Sequence, residues 1–253
     1  MTVMRYFDTH CHFSDGDDIR AILGRAADAG VVQVLAVGGS DELNRNALRS
    51  PCRVAVGLDC DQIDDIPARL DAISSLIADN RERVAAIGEI GLDFHYSPET
   101  EPQQRELFAM QLDMAAALGL PVVVHTRDAD AATLETIDSV PARDSGRLRG
   151  VIHSYTGDRN FARALLDRGF AISFSGIATF RSAENVRESV RYVPDDRILA
   201  ETDSPFLAPV PLRGRPCEPA FIVHTVRCLA MERGTPLDIF SEILFANSQA
   251  LFG

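Results

Sequence analysis

Eight short apolar runs punctuate this chain, alternating with longer stretches of helical periodicity. The runs are Arg5–Asp8, Val31–Val37, Arg53–Gly57, Val84–Gly88, Val122–His125, Gly150–His153, Phe170–Phe174 and Ile198–Glu201. Between them, segments such as Ile19–Ala29, Pro67–Ala78, Pro102–Leu118, Asn160–Asp167 and Glu184–Tyr192 repeat their apolar residues at the spacing of a helix with one buried face. Gly30, Gly119 and Gly169 stand just after three of these segments, where a residue in the left-handed conformation commonly ends a helix. Strict alternation of strand and helix calls for right-handed crossovers and a parallel sheet. Eight such units predict an α/β fold, an eight-stranded parallel (β/α) TIM barrel. That architecture typically occupies about 250 residues. The stretch from Glu218 to Phe252 then reads as C-terminal helices packed on the outside.

The chain is 253 residues long and 46% apolar, and no linker rich in Pro, Gly or Ser divides it, so residues 1–253 are expected to be a single domain. Its start, Met1 to Phe7, runs straight into a strand without the apolar core and small-residue cleavage site of an export signal. No stretch approaches the ~18 consecutive apolar residues that span a bilayer. Cys11, Cys52, Cys60, Cys217 and Cys228 are an odd set without CxxC spacing, which argues against a disulfide framework and against a zinc knuckle. A soluble, cytoplasmic protein in a reducing setting is expected.

Chemistry gathers at the strand ends. His10 and His12 are two residues apart, and on an extended strand such residues point to the same side, so both imidazoles can reach one metal. An HxH triplet alone is weak, arising by chance in roughly one of seven chains of this composition. Its company strengthens it. Glu89 follows the run ending at Gly88, His125 and His153 close their runs, and Asp203 follows the run ending at Glu201. One polar residue at a strand terminus is ordinarily just solvated, but five strands ending in metal-binding side chains converge on the mouth of a barrel, where active sites of this architecture lie. Four imidazoles with two or three carboxylates suit zinc or manganese, and the excess over four ligands indicates two metals bridged by a carboxylate.

These stretches resemble a known family across nearly the whole chain. Phe7-Asp-Thr-His-Cys-His12, Gly88-Glu-Ile-Gly-Leu-Asp93, Pro121-Val-Val-Val-His-Thr-Arg-Asp128, Gly150-Val-Ile-His-Ser-Tyr-Thr-Gly157 and Leu199-Ala-Glu-Thr-Asp-Ser-Pro205 are similar to the TatD-type metal-dependent deoxyribonucleases, within the wider amidohydrolase-like barrels. The resemblance implies that His10, His12, Glu89 and Asp203 hold one divalent ion while Glu89, His125 and His153 hold the other. It further implies hydrolysis of DNA phosphodiesters, often from the 3′ end of single strands, with magnesium, manganese or zinc. DNA ends are then the expected partner, no membrane is involved, and the chain is expected to act as a monomer or weak oligomer. Phe94 stands where the family often has Tyr, and Cys217 where Asn is common, departures that bear on substrate choice and leave the ligands untouched.

The expected catalytic group is Asp203, Glu89 and Glu201. Asp203 is a carboxylate beside the metals and the choice for general base. Glu201, two residues earlier, either orients Asp203 or a ligand, or is a structural strand-end acid. Asp8 shares the side of His10 and His12 and is a plausible partner for a ligating ring. The net charge of −12 excludes a broad basic nucleic-acid surface, yet a few arginines and metal ions can reverse the potential inside a pocket. Arg127, Arg181, Arg213 and Arg215 follow strands on the metal side and are candidates for the substrate's phosphates, against the plainer reading of solvated loop charges. His95 and Tyr96 could stack on a base or simply pack a loop. Cys11 points away from the two histidines and reads as barrel packing. Two alternatives stay open: hydrolysis of a carbon-centred bond, as in a cyclic amide or an aminoacyl-tRNA ester, and a metal-bearing barrel that only binds.

Overall fold

The computed structural model describes residues 4–141 and 148–253, so the first three residues of the N-terminal stretch from Met1 to Phe7 lie outside the described residues. Eight parallel strands run in sequence order around a nearly closed barrel: β1 (Tyr6–Cys11), β2 (Val31–Gly39), β3 (Arg53–Leu58), β4 (Val84–Asp93), β5 (Val122–Arg127), β6 (Gly150–Ile152), β7 (Ala171–Phe174) and β8 (Ile198–Ala200). The intervening helices are α1 (Ile19–Asp28), α2 (Asp41–Arg49), α3 (Ile66–Asp79), α4 (Glu101–Leu118), α5 (Asp130–Ser139), α6 (Arg159–Asp167) and α7 (Glu184–Tyr192), followed by α8 (Ile222–Arg233) and α9 (Leu237–Phe252). Among the described residues no helix is long and apolar enough to cross a membrane.

Closure is made by polar as well as ladder contacts. Asp203 N–H donates to the His10 carbonyl (2.9 Å) and His12 N–H to the Ser204 carbonyl (2.8 Å), so the last strand end is tied to the first. Asp8, buried between them, accepts from the Thr202 backbone N–H at 2.9 Å and its hydroxyl at 2.5 Å, and from the His10 N–H at 3.3 Å. Asp8 therefore fastens β1 to the chain after β8 instead of holding an imidazole, the role its strand position had pointed to.

Alternate residues fill the barrel interior, among them Phe7, Leu35, Val37, Ala55, Ala86, Val123, Val151 and Leu199, while a larger cluster lies between the barrel and its helices. Small and branched side chains dominate because the inner space narrows as the ring closes. Phe252, at the end of α9, belongs to the interior cluster and lies 6.4 Å from the Phe7 ring. The final helix thus stops the barrel from below, and only part of the tail lies on the outside as expected.

Strands reach further into the mouth than their apolar cores. β4 and β5 stay paired through Gly91↔His125 and Asp93↔Arg127, because a ladder needs backbone groups and not apolar side chains. At Gly91, φ is +147° and a Cβ would overlap the His125 carbonyl, so only glycine lets the two strands meet here. Two glutamines of α4, seven residues apart and hence on one face, fix these strand ends from outside. Gln111 exchanges two hydrogen bonds with the Leu58 N–H and carbonyl, both 2.8 Å, and Gln104 does the same for Asp93 at 2.9 and 3.1 Å.

Candidate metal centre

The six expected ligands meet at the mouth. His10 Nε2 and His12 Nε2 lie 3.0 Å apart, and Asp203 Oδ1 is 3.8 Å from each. His125 Nδ1 and His153 Nε2 form a second pair 3.1 Å apart. Glu89 stands between the pairs with one oxygen for each. Its Oε2 is 3.4 Å from both His10 Nε2 and His12 Nε2, and its Oε1 is 3.2 Å from His125 Nδ1 and 2.8 Å from His153 Nε2. Asp203 takes a left-handed backbone, φ +60°, uncommon outside glycine and Asn or Asp.

The far nitrogens of three rings are held in turn. His12 Nδ1–H donates to the Val37 carbonyl (3.0 Å), His153 Nδ1–H to Glu201 (3.2 Å) and His125 Nε2–H to Asp93 (3.3 Å). Each leaves a lone pair aimed at the centre. Among the described residues, His10 Nδ1 is buried with no hydrogen-bond partner. Lone pairs and carboxylate oxygens at these separations repel unless cations or protons lie among them, and these nitrogen and oxygen donors fit borderline divalent metal.

Without ions, protons fill that role. Burial opposes a charge on His125, but Asp93 and Glu89 outweigh it and raise the ring to about 10. His153 is likewise penalised by burial and carried well above its usual value by Glu89 and Glu201. Glu89 moves far the other way, its burial overcome by His153 and the neighbouring rings. Burial pushes Asp203 up to about 7 despite His153 and His12, and lowers His10 to about 4 with help from the His153 charge.

The centre opens into a cleft of about 1060 Å³. Of the four arginines singled out in the sequence, Arg127 is in its wall, with its guanidinium 4.7 Å over the Tyr96 ring. Arg181, Arg213 and Arg215 are exposed and outside the wall, and Arg213 rests 4.1 Å over Phe180. Three wall residues carry no role in the sequence reading. Asp93 holds His125, and its even spacing from Glu89 on one strand was the available signal. Asp59 follows β3 directly, at the same end of the barrel as the other mouth acids. Phe206 lies beside His12, with ring centroids 6.4 Å apart, and nothing in its local pattern marks it.

A parallel barrel with such a cage at the C-terminal ends of its strands has the architecture of a metal-dependent hydrolase. The family model described as TatD related DNase matches residues 7–253. The chain belongs to that family. It is 39% identical to an uncharacterized metal-dependent hydrolase of Escherichia coli, YcfH, over 97% of this chain and 94% of that one. It is 34% identical to the uncharacterized metal-dependent hydrolase TatD of Mycobacterium tuberculosis over 88% of each. Among solved structures, the TatD homolog YJJV of Escherichia coli superposes with a TM-score of 0.89 at 28% identity, covering 99% of both chains.

Proposed function

We propose that this protein hydrolyses DNA phosphodiester bonds, working inward from the 3′ ends of single strands with two divalent ions of magnesium, manganese or zinc. The observation that carries the reading is Glu89, whose two oxygens are divided between two histidine pairs as a bridging carboxylate's would be. His10, His12, Glu89 and Asp203 would hold one ion; Glu89, His125 and His153 would hold the other. When bound, two such ions acidify water and offset the charge that develops on phosphate. Asp203 accepts the proton of the attacking water as its oxygen bonds to phosphorus and the ester P–O bond breaks, the leaving oxygen regaining a proton from solvent. Glu201 keeps His153 aimed, Asp93 does so for His125, and Arg127 receives a phosphate oxygen of the strand. Arg181, Arg213 and Arg215 serve phosphates beyond the cleft. The 3′ polarity follows from family resemblance. The five cysteines, all free, fit the cytoplasm.

A second reading has one observation in its favour. The cleft wall carries Asp59 and Asp61 besides the ligand carboxylates, and Arg127 is its one arginine among the described residues, a balance that also suits an uncharged carbonyl substrate. The deciding experiment loads the purified protein with manganese, measures ions per chain, and offers that preparation single-stranded oligonucleotides blocked at either end alongside cyclic amides and aminoacyl esters. Cleavage halted by a 3′ block supports the proposal. Turnover of the carbonyl substrates alone overturns it.

A further inference from the structure

The chain has 13 Phe and 4 Tyr, and all of them lie among the described residues. Two are exposed, Tyr96 at 71% and Phe206 at 60%, and both line the metal cleft. A surface that leaves every other Phe and Tyr ring buried or half-buried, yet shows these two at one opening, is using them there. Tyr96 follows β4 and Phe206 follows β8, and in a ring of eight strands in sequence order those two are diametrically opposed. Phe206 sits beside His12 of one ligand set. Tyr96 lies against Arg127, two residues beyond His125 of the other. Two flat rings therefore flank the metal centre, one on each side.

A protein that holds nucleic acid by its phosphates lines the path with cations. Here the cleft wall offers Arg127 against Asp59, Asp61, Asp93, Glu89 and Asp203. Beyond the ions at the scissile phosphate and Arg127, purchase on the flanking nucleotides within the cleft must come chiefly from their bases. Base stacking on aromatic rings tolerates any sequence and needs bases freed from a duplex.

We propose that Tyr96 and Phe206 are a pair of stacking platforms that take the unpaired bases on either side of the scissile phosphate. The proposal rests on the phosphodiester reading above and adds how the substrate is recognised. Arg127, already seated on Tyr96, braces that ring and meets the phosphate next to its base. A duplex end, whose bases stack on each other, is excluded until it frays.

The test uses manganese-loaded protein with a thymidine decamer and the matching decamer of abasic residues, which has the same phosphates and no bases. Wild-type kcat/KM should favour the thymidine decamer by about tenfold or more. Tyr96→Ala and Phe206→Ala should each cut that ratio by about fivefold or more, through KM, while Tyr96→Phe, which keeps the ring, retains it. Met231→Ala, an exposed apolar change remote from the cleft, controls for nonspecific loss. A wild type that cleaves both decamers equally, or alanine variants with an unaltered ratio, overturns the stacking proposal and leaves the nuclease reading standing. If wild type cleaves neither decamer, the phosphodiester reading falls and takes the platforms with it.

Discussion

Glu201 Oε1 lies 3.2 Å from His153 Nδ1 and accepts a second hydrogen bond, 2.7 Å, from the Ser154 backbone N–H. One buried carboxylate oxygen thereby sets both the rotation of the ring and the course of the chain just past it. Such a partner fixes the tautomer and makes the other nitrogen a better donor. Glu201→Gln preserves the shape but can no longer take the Nδ1 proton's charge. It should weaken ion binding at the His125–His153 side by about 10- to 100-fold. Competitive titration against a chelating dye reads this directly; two binding steps identical to wild type would leave Glu201 with a purely structural role.

Asp203→Asn keeps one coordinating oxygen and loses basicity. Turnover of an oligonucleotide should fall by about 100-fold or more with the far-ultraviolet circular dichroism spectrum intact. Near-normal kcat in a folded, metal-loaded variant removes Asp203 from proton transfer.

Ion uptake should release protons. In the metal-free protein His125 is raised to about 10 and His153 well above its usual value, so both rings are protonated at neutral pH. Each must lose its proton to ligate. Apparent affinity therefore rises with pH through the neutral range, and calorimetry in buffers of different ionisation enthalpy should report net proton release. An enthalpy independent of buffer contradicts the protonated rings.

Phosphate contacts can be separated by salt. Arg127→Ala should flatten the logarithmic salt dependence of single-strand binding by ~0.7, measured with the inactive Asp203→Asn protein. The Arg213→Ala Arg215→Ala pair should matter only for strands long enough to leave the cleft. Equal effects of both changes on a trinucleotide would show that the cleft wall does not define the phosphate path.

Much of this arrangement was legible because the ligands sit where apolar runs end, and a barrel brings all such ends to one mouth. His10, His12, Glu89, His125, His153 and Asp203 were named as candidate ligands from that rule, and the family resemblance divided them between two ions. Helix α2 could not, since Asp41–Arg49 buries Asn44 and Asn46, whose amides leave no apolar stripe to read. The arginines after β7 and β8 failed to sort themselves for a related reason. Loop paths depend on packing such as Arg213 over Phe180, which no periodicity records. Asp8 was placed on the correct side of its strand, but alternation cannot say that Thr202 would reach it first.

Gln111 offers a test of the scaffold. Gln111→Ala would strand a buried N–H and a buried carbonyl of Leu58, costing about 3 kcal/mol or more in chemical denaturation. Loss of less than about 1 kcal/mol would mean that water replaces the amide.

His10 comes from the first strand, His12 from just past it and Asp203 from just beyond the last, joined across a seam where Asp8 grips Thr202, Asp203 meets His10 and His12 meets Ser204. During synthesis nearly two hundred residues separate the halves of that ligand set, so no partial chain on the ribosome can complete it. The seam acts as a timer: whatever hydrolysis the centre supports has to wait until the ring has shut.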